Sequence, residues 1–245
     1  MVKKVIRFIV LIIGLSLVAY SGYHLFKIFW DYRTSDKTYE KLQDAYTVDD
    51  SKKSDDNDSE AADTPWYDDI DIDFAGLRSE NPDVVGWINI PNTIIDLPVL
   101  QSSEDDPEYY LNRDYEHNVT KSGSIFLDSR DSLEEPASKN LILYGHSLNS
   151  GRMFTDLLKY KQLDFYKNAP VFTFDTVYEE SQWKIISVFI TNTLESHGEV
   201  FDYLRVNFSS DEDYLNFVYQ TRIRSLYNTG VSFNANDQIV MLSTC

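Results

Sequence analysis

The chain contains one cysteine, and it is residue 245. Cys245 closes the run Asp237-Gln238-Ile239-Val240-Met241-Leu242-Ser243-Thr244-Cys245, an apolar strand pattern that leads into a Ser-Thr pair. Most free cysteines are small buried hydrophobes. One delivered at a strand end can instead serve as a nucleophilic thiol, provided that a nearby base or cation favours the thiolate. The histidines are the candidates for that base. His24 falls in an apolar stretch, His117 in the polar run Tyr115-Glu116-His117-Asn118, and His197 before Gly198 in another polar loop. His146 differs, because the apolar strand Leu141-Ile142-Leu143-Tyr144 carries it to a fixed place just after Gly145. It precedes Cys245 by 99 positions, a separation that two strands of one sheet can bring within a few ångströms. The pattern predicts a Cys245–His146 pair; a hydrogen-bonded structural histidine is the alternative.

Other chemistries fit poorly. There is no G-x-x-x-x-G-K-[ST], no G-x-G-x-x-G and no H-E-x-x-H. No two of His117, His146, His197 and Cys245 have the spacing of zinc ligands, so neither metal nor cofactor is expected. Ser147 lacks the G-x-S-x-G elbow of many serine hydrolases. A papain-like hydrolase carries its cysteine early and its histidine later, the reverse of the order here.

The chain has 245 residues, 22 basic and 40 acidic side chains, and a net charge of −18. Residues 1–30 hold four of the basic side chains (Lys3, Lys4, Arg7 and Lys27) and no acid, which leaves 18 basic against 40 acidic, a net of −22, in the rest. Such a surface disfavours nucleic acid. Phe8 to Phe26 is a run of 19 residues without Asp, Glu, Lys or Arg, long enough to span a bilayer core. The basic residues before it and the acids after it predict a signal-anchor with a cytoplasmic N-terminus and an extracellular domain. Residues 31–64, with Asp49, Asp50, Asp55, Asp56, Asp58, Glu60 and Asp63 among Ser, Asn and Lys, read as an acidic flexible stalk, with a loose helix over 35–47. The third segment, 65–245, holds the candidate site.

That segment is predicted to be mostly β. A short helix starts at Thr64-Pro65, shows an apolar face at Ile70, Phe74 and Leu77, and stops at Asn81-Pro82. Strands follow at 84–90, 94–100, 124–127, 141–144, 171–174, 183–190 and 238–242, with a helical turn at Tyr109-Tyr110-Leu111. Short strands joined by polar turns indicate a barrel or sandwich rather than βαβ units. One longer helix interrupts them, with Ser209 and Glu212 as a capping box and Leu215, Val218, Tyr219 and Leu226 at helical spacing.

In this order the motifs resemble the sortases, membrane-anchored cysteine transpeptidases of Gram-positive bacteria. The hallmarks are Tyr144-Gly145-His146 and Leu242-Ser243-Thr244-Cys245. Asn81-Pro82-Asp83-Val84-Val85-Gly86-Trp87-Ile88, Leu97-Pro98-Val99-Leu100-Gln101, Tyr109-Tyr110-Leu111, Gly123-Ser124-Ile125-Phe126-Leu127-Asp128, Gly151-Arg152-Met153-Phe154 and the helix at 210–227 resemble class B. The resemblance covers about residues 64–245. It implies a sortase-like β-barrel with an N-terminal helix and a long helix before the cysteine strand. It implies further that Cys245 attacks a peptide bond in the C-terminal sorting signal of a secreted protein, of the Asn-Pro or Pro-x-Thr kind. The protein is then held as a thioester and passed to the amine of a cell-wall precursor, with His146 moving the protons. Leu111, Ser243 and Thr244 match groove positions of the family, with Thr191 or Thr193 as a further wall.

Sortases also use an arginine on the strand that follows the cysteine. The sequence stops at Cys245, and none of Arg113, Arg130, Arg152 and Arg205 occupies the place of that residue. The resemblance therefore implies a sequence truncated just after the nucleophile, with its final strand missing and the activity of this chain impaired. The alternative is a non-catalytic, membrane-tethered sortase-like binding protein.

Overall fold

The computed structural model describes residues 2–48, 71–148 and 151–244. Seven strands form one sheet: β3 (Val84–Asn89), β4 (Asp96–Gln101), β5 (Ile125–Leu127), β6 (Asn140–Tyr144), β7 (Val171–Thr176), β8 (Gln182–Lys184) and β9 (Ile239–Ser243). Their order across the sheet is β8-β7-β3-β4-β5-β6-β9, and the sheet curls into a nearly closed barrel. Neighbours run antiparallel except for β4 with β5 and β6 with β9, which are parallel. A two-residue ladder, β1 (Thr47–Val48) with β2 (Asp71–Ile72), stands apart from the barrel.

The core cluster includes Trp87, Ile88, Leu100, Ile125, Leu127, Leu141, Leu143, Phe154 and Phe174, on both faces of the sheet and all at most 4% exposed. Burial of each large apolar side chain contributes roughly 1.5–3 kcal/mol before conformational entropy is counted. Trp87 satisfies its indole N–H by donating to Asp96 Oδ1 at 2.7 Å. A smaller cluster of Tyr214, Phe217, Val218 and Ile239 seats helix α4 (Asp211–Ile223) against the start of β9.

Helix α1 (Val2–Tyr46) is one continuous element. Its stretch Lys3–Trp30 is long and apolar enough to cross a membrane, and none of it is buried within the protein. Within the segment expected as a stalk, the sequence also predicted a loose helix over 35–47. The helix continues to Tyr46, and Thr38, Tyr39 and Leu42 are buried, the latter two in the barrel's own core cluster. Leu42 is 1% exposed, and the Gln43 amide donates to the Asp96 carbonyl of β4 at 2.5 Å. An apolar pair three residues apart gives the helix one docking face in a segment otherwise made of charged and mostly polar residues. The remainder of the stalk, residues 49–64, lies outside the described residues.

Three other expectations are corrected. The short helix α2 is Phe74–Glu80, capped by Asp73, whose side chain accepts from Gly76 N at 2.8 Å. The expected start at Thr64-Pro65 lies outside the described residues, and Asp71–Ile72 is strand rather than helix. The strand expected over 183–190 pairs only as far as Lys184. Beyond it the backbone finds partners outside any ladder: Ile185 N donates to Pro170 O, Val188 N to Ser225 Oγ, and Val188 O accepts from Leu226 N. Helix α4 is capped by Ser210, one residue later than expected. Ser210 Oγ accepts from Asp213 N, while Ser209 donates both its N–H and its hydroxyl to the Asp213 carboxylate.

Candidate active site

The site lies where β6 and β9 end together. The two strands pair with a constant offset from Asn140↔Ile239 through Tyr144↔Ser243. Past the last pair, Gly145 N still donates to Ser243 O at 3.2 Å. The apolar runs seen in the sequence explain this placement, because both strands are flanked by core on the barrel side. Cys245 itself lies outside the described residues, and so does the predicted Cys245–His146 distance.

His146 is held from two sides. Its Nε2–H donates to the backbone carbonyl of Leu111 at 2.8 Å, and its own carbonyl accepts from Phe154 N at 3.0 Å. A carbonyl only accepts, so the first bond requires the proton on Nε2 and leaves Nδ1 as the nitrogen available for proton transfer in the neutral ring. Leu111 ends the 3-10 turn Tyr109–Leu111, which was expected as a helical turn. Leu111 and His146, two of the predicted site residues, are thus brought into direct contact.

Gly145 is required by packing. A Cβ there would stand 2.7 Å from the ring of Phe154, a side chain that is 0% exposed. Gly145→Ala is expected to destabilise the fold by about 1–3 kcal/mol, the usual range for overpacking, and to displace His146. Chemical denaturation together with turnover checks this, and a variant with wild-type stability and turnover would contradict it.

The residue before that glycine is anchored by charge. The Tyr144 hydroxyl donates to Asp128 Oδ2 at 2.8 Å, and Arg130 binds the same carboxylate through Nε at 2.8 Å and Nη2 at 2.7 Å. Burial alone would raise the Asp128 carboxyl, but the bonds from Arg130 and Tyr144 outweigh it and hold the group below the ordinary carboxylate range. Burial, followed by the bond to Asp128 and its charge, raises the Tyr144 phenol, which therefore stays a donor.

A second wall stands beside β9. Tyr203 shares a hydrogen bond of 3.0 Å with Ser243 Oγ. Its segment is tied back to the barrel by Arg130 donating to Leu204 O and by Asn140 Nδ2 donating to Arg205 O at 2.7 Å. Phe189 packs on both Phe201 and Tyr203, with ring centroids 6.0 and 6.4 Å apart. Thr191 is half-buried two residues further on; Thr193 is exposed. Thr244 Oγ1 is buried with no hydrogen-bond partner among the described residues. Tyr203 and Phe189 had not been marked as site residues, and neither belongs to a motif that could have singled it out.

The arginines have other partners. Arg113 lies over the Tyr109 ring at 4.2 Å. Arg130 pairs with Asp128, and Arg205 pairs with Asp213 at 2.7 Å while covering Phe208. Arg152 approaches Glu40 of α1 at 3.9 Å.

Comparison with known proteins gives a consistent result. No protein-family model matches the chain. Sortase B of Staphylococcus aureus is 31% identical over 237 residues, 97% of this chain and 88% of the relative. Sortase B of Listeria monocytogenes is 32% identical over 218 residues, 89% and 84% of the two chains. Among solved structures, sortase B from Bacillus anthracis in complex with AAEK1 superimposes with a TM-score of 0.70 at 31% identity, covering 89% of this chain and 92% of the other. A Staphylococcus aureus sortase B–substrate complex gives 0.63 at 34% identity, covering 70% and 76%. A sortase B complexed with triglycine gives 0.63 at 36% identity over the same shares. With relatives this similar along nearly its whole length, and with the barrel and the paired strand ends in place, the chain belongs to the class B sortases, a family of cysteine transpeptidases.

Proposed function

We propose that Cys245 is the nucleophile and His146 the acid and base of a transpeptidase acting on sorting signals of secreted proteins. The observation that carries this reading is the parallel β6–β9 ladder. Its offset of 99 positions, carried on past Tyr144↔Ser243, supports a pairing of position 245 with position 146. In a parallel pair such residues share one face of the sheet.

The thiolate of Cys245 attacks the carbonyl carbon of the scissile peptide bond and a tetrahedral oxyanion forms. It collapses as the C–N bond breaks, and the leaving amine takes a proton from His146, leaving a thioester. An incoming amine then attacks the thioester, gives its proton to His146 and releases Cys245. Leu111, Thr191, Ser243 and Thr244 form the groove that positions the signal, with Tyr203 bracing Ser243. The complexes of relatives with a substrate and with triglycine support a peptide donor and an amine acceptor, here the amine of a cell-wall precursor. Lys3–Trp30 anchors the protein in the membrane as a single span, with Lys3, Lys4 and Arg7 on the cytoplasmic side and the barrel outside.

Intact-mass analysis tests the reading. After incubation with a Pro-x-Thr signal peptide, the protein is expected to gain the mass of the peptide's N-terminal part. Triglycine should discharge that adduct, and Cys245→Ala should not form it. Saturable peptide binding without an adduct would favour the non-catalytic binding protein.

A further inference from the structure

The carbonyl that receives the His146 N–H is itself held by a path that starts on the anchor helix. Tyr39 of α1 is 6% exposed, 84 and 85 positions before the residues it touches. Its hydroxyl reaches Gly123 O at 3.3 Å and Ser124 Oγ at 3.0 Å. Ser124 Oγ donates its single hydrogen to Arg113 O at 2.9 Å, so Tyr39 is the donor to Ser124 and its one hydroxyl hydrogen is shared between Ser124 Oγ and, at the longer distance, Gly123 O. Burial raises the Tyr39 phenol above the ordinary tyrosine range, which keeps that donor protonated.

Gly123 and Ser124 in turn grip the Tyr109–Leu111 turn. Ser124 N donates to Tyr110 O at 3.0 Å. Gly123 sits at φ +59°, and a Cβ there would meet Leu111 O at 2.5 Å and Tyr110 O at 2.8 Å. The backbone at 123 is therefore packed against the oxygen that His146 Nε2 binds.

We propose that Tyr39 is a positioning residue for the reaction: by holding the Gly123–Ser124 corner it fixes the Leu111 carbonyl and hence the orientation of the His146 ring. The inference rests on the acid–base reading of His146. Through this one side chain, the juxtamembrane part of α1 becomes a component of the active site.

The ring proton of His146 reports on this directly. In the full chain in detergent micelles, with nitrogen-15-labelled histidine, the Nε2–H resonance is assigned by its absence in His146→Gln. Its exchange with water is expected to be slow in the wild type. In Tyr39→Phe, which keeps the ring packing, and in Ser124→Ala, exchange should be faster by about ten-fold, the equilibrium effect of one hydrogen bond. In Gln43→Ala, which breaks the bond from the same helix to β4, it should be unchanged. Unaltered exchange in Tyr39→Phe and Ser124→Ala would overturn the proposal. Equal acceleration in Gln43→Ala would do so too, since α1 would then act as a general brace. Because no turnover is needed, this outcome is separable from the catalytic reading: wild-type turnover by His146→Gln would remove the role of His146 in the reaction while leaving the exchange result intact.

Discussion

Replacing His146 by glutamine is expected to lower kcat/KM for a quenched sorting-signal peptide by about 10²–10⁴, the usual worth of a positioned general acid–base. Glutamine is the informative choice. Its amide nitrogen can take the place of Nε2 and still donate to Leu111 O, which accepts from His146 at 2.8 Å in the wild type. What glutamine cannot do is accept and return a proton. The loss should therefore fall on kcat, with KM little changed, because the proposed groove residues Leu111, Ser243 and Thr244 are untouched. Both half-reactions need the proton carrier: acylation to release the amine and deacylation to admit one. Single-turnover measurement of adduct formation and of its discharge by triglycine should show both steps slowed. A variant with wild-type rates in both would sink the assignment of His146.

The parts of this site that could be read from the sequence are those set by apolar periodicity. The runs before Gly145 and before Ser243 were strands because nothing but core could accept them, and their separation predicted that they meet. What joins them was not legible. The partner of His146 is a backbone carbonyl, which every residue carries, so no side chain at position 111 could announce it. Tyr203 bonds Ser243 across 40 residues, and its neighbours Phe201-Asp202 form no pattern. The docking of α1 was hidden for a different reason. Tyr39 and Leu42 are two apolar residues among Lys37, Glu40, Lys41 and Asp44, and the surface they meet is built from strands far along the chain. The stretch Phe154–Asn168 folds as a 3-10 segment and the short helix α3 (Leu163–Asn168) around buried Tyr160 and Tyr166, too short for helical periodicity to declare itself.

These connections make the site an assembly of separately anchored pieces. Strand β6 is fastened to the 128–131 turn through Tyr144 and Asp128, and the same turn reaches the Tyr203 wall through Arg130. The histidine faces the Tyr109–Leu111 turn, whose Tyr110 carbonyl accepts from Ser124 N, and Ser124 Oγ is hydrogen-bonded to Tyr39 of α1. His146 is thus surrounded by three segments that are remote in sequence.

The 128–131 turn also holds β6 through Asp131, and the second large effect is expected there. Asp131 is 6% exposed, its Oδ2 accepts from Ile142 N of β6 at 2.7 Å, and its Oδ1 has no partner among the described residues. Burial is the main cause that pushes its carboxyl up to about 7; the nearby Asp128 adds to this, while the Ile142 amide, Ser138 and Arg130 oppose it. The fold thus favours the protonated acid. Its contribution to stability is full below the ordinary carboxylate range and is lost as pH rises through about 7. At about 1.4 kcal/mol per pH unit, that window corresponds to a loss on the order of 4 kcal/mol. Asp213, held down to about 2 chiefly by its bond with Arg205, acts in the opposite sense and only in strong acid, so it does not overlap. Asp131→Asn keeps an oxygen for the Ile142 amide and removes the buried charge. It should match the wild type near pH 4.5 and exceed it clearly near pH 8, so that the difference between the two proteins grows with pH. Denaturant unfolding at both pH values measures this. A variant weaker than the wild type by the same amount at both would show that Asp131 is stabilising as a carboxylate, and that the turn holding β6 is not strained by its charge.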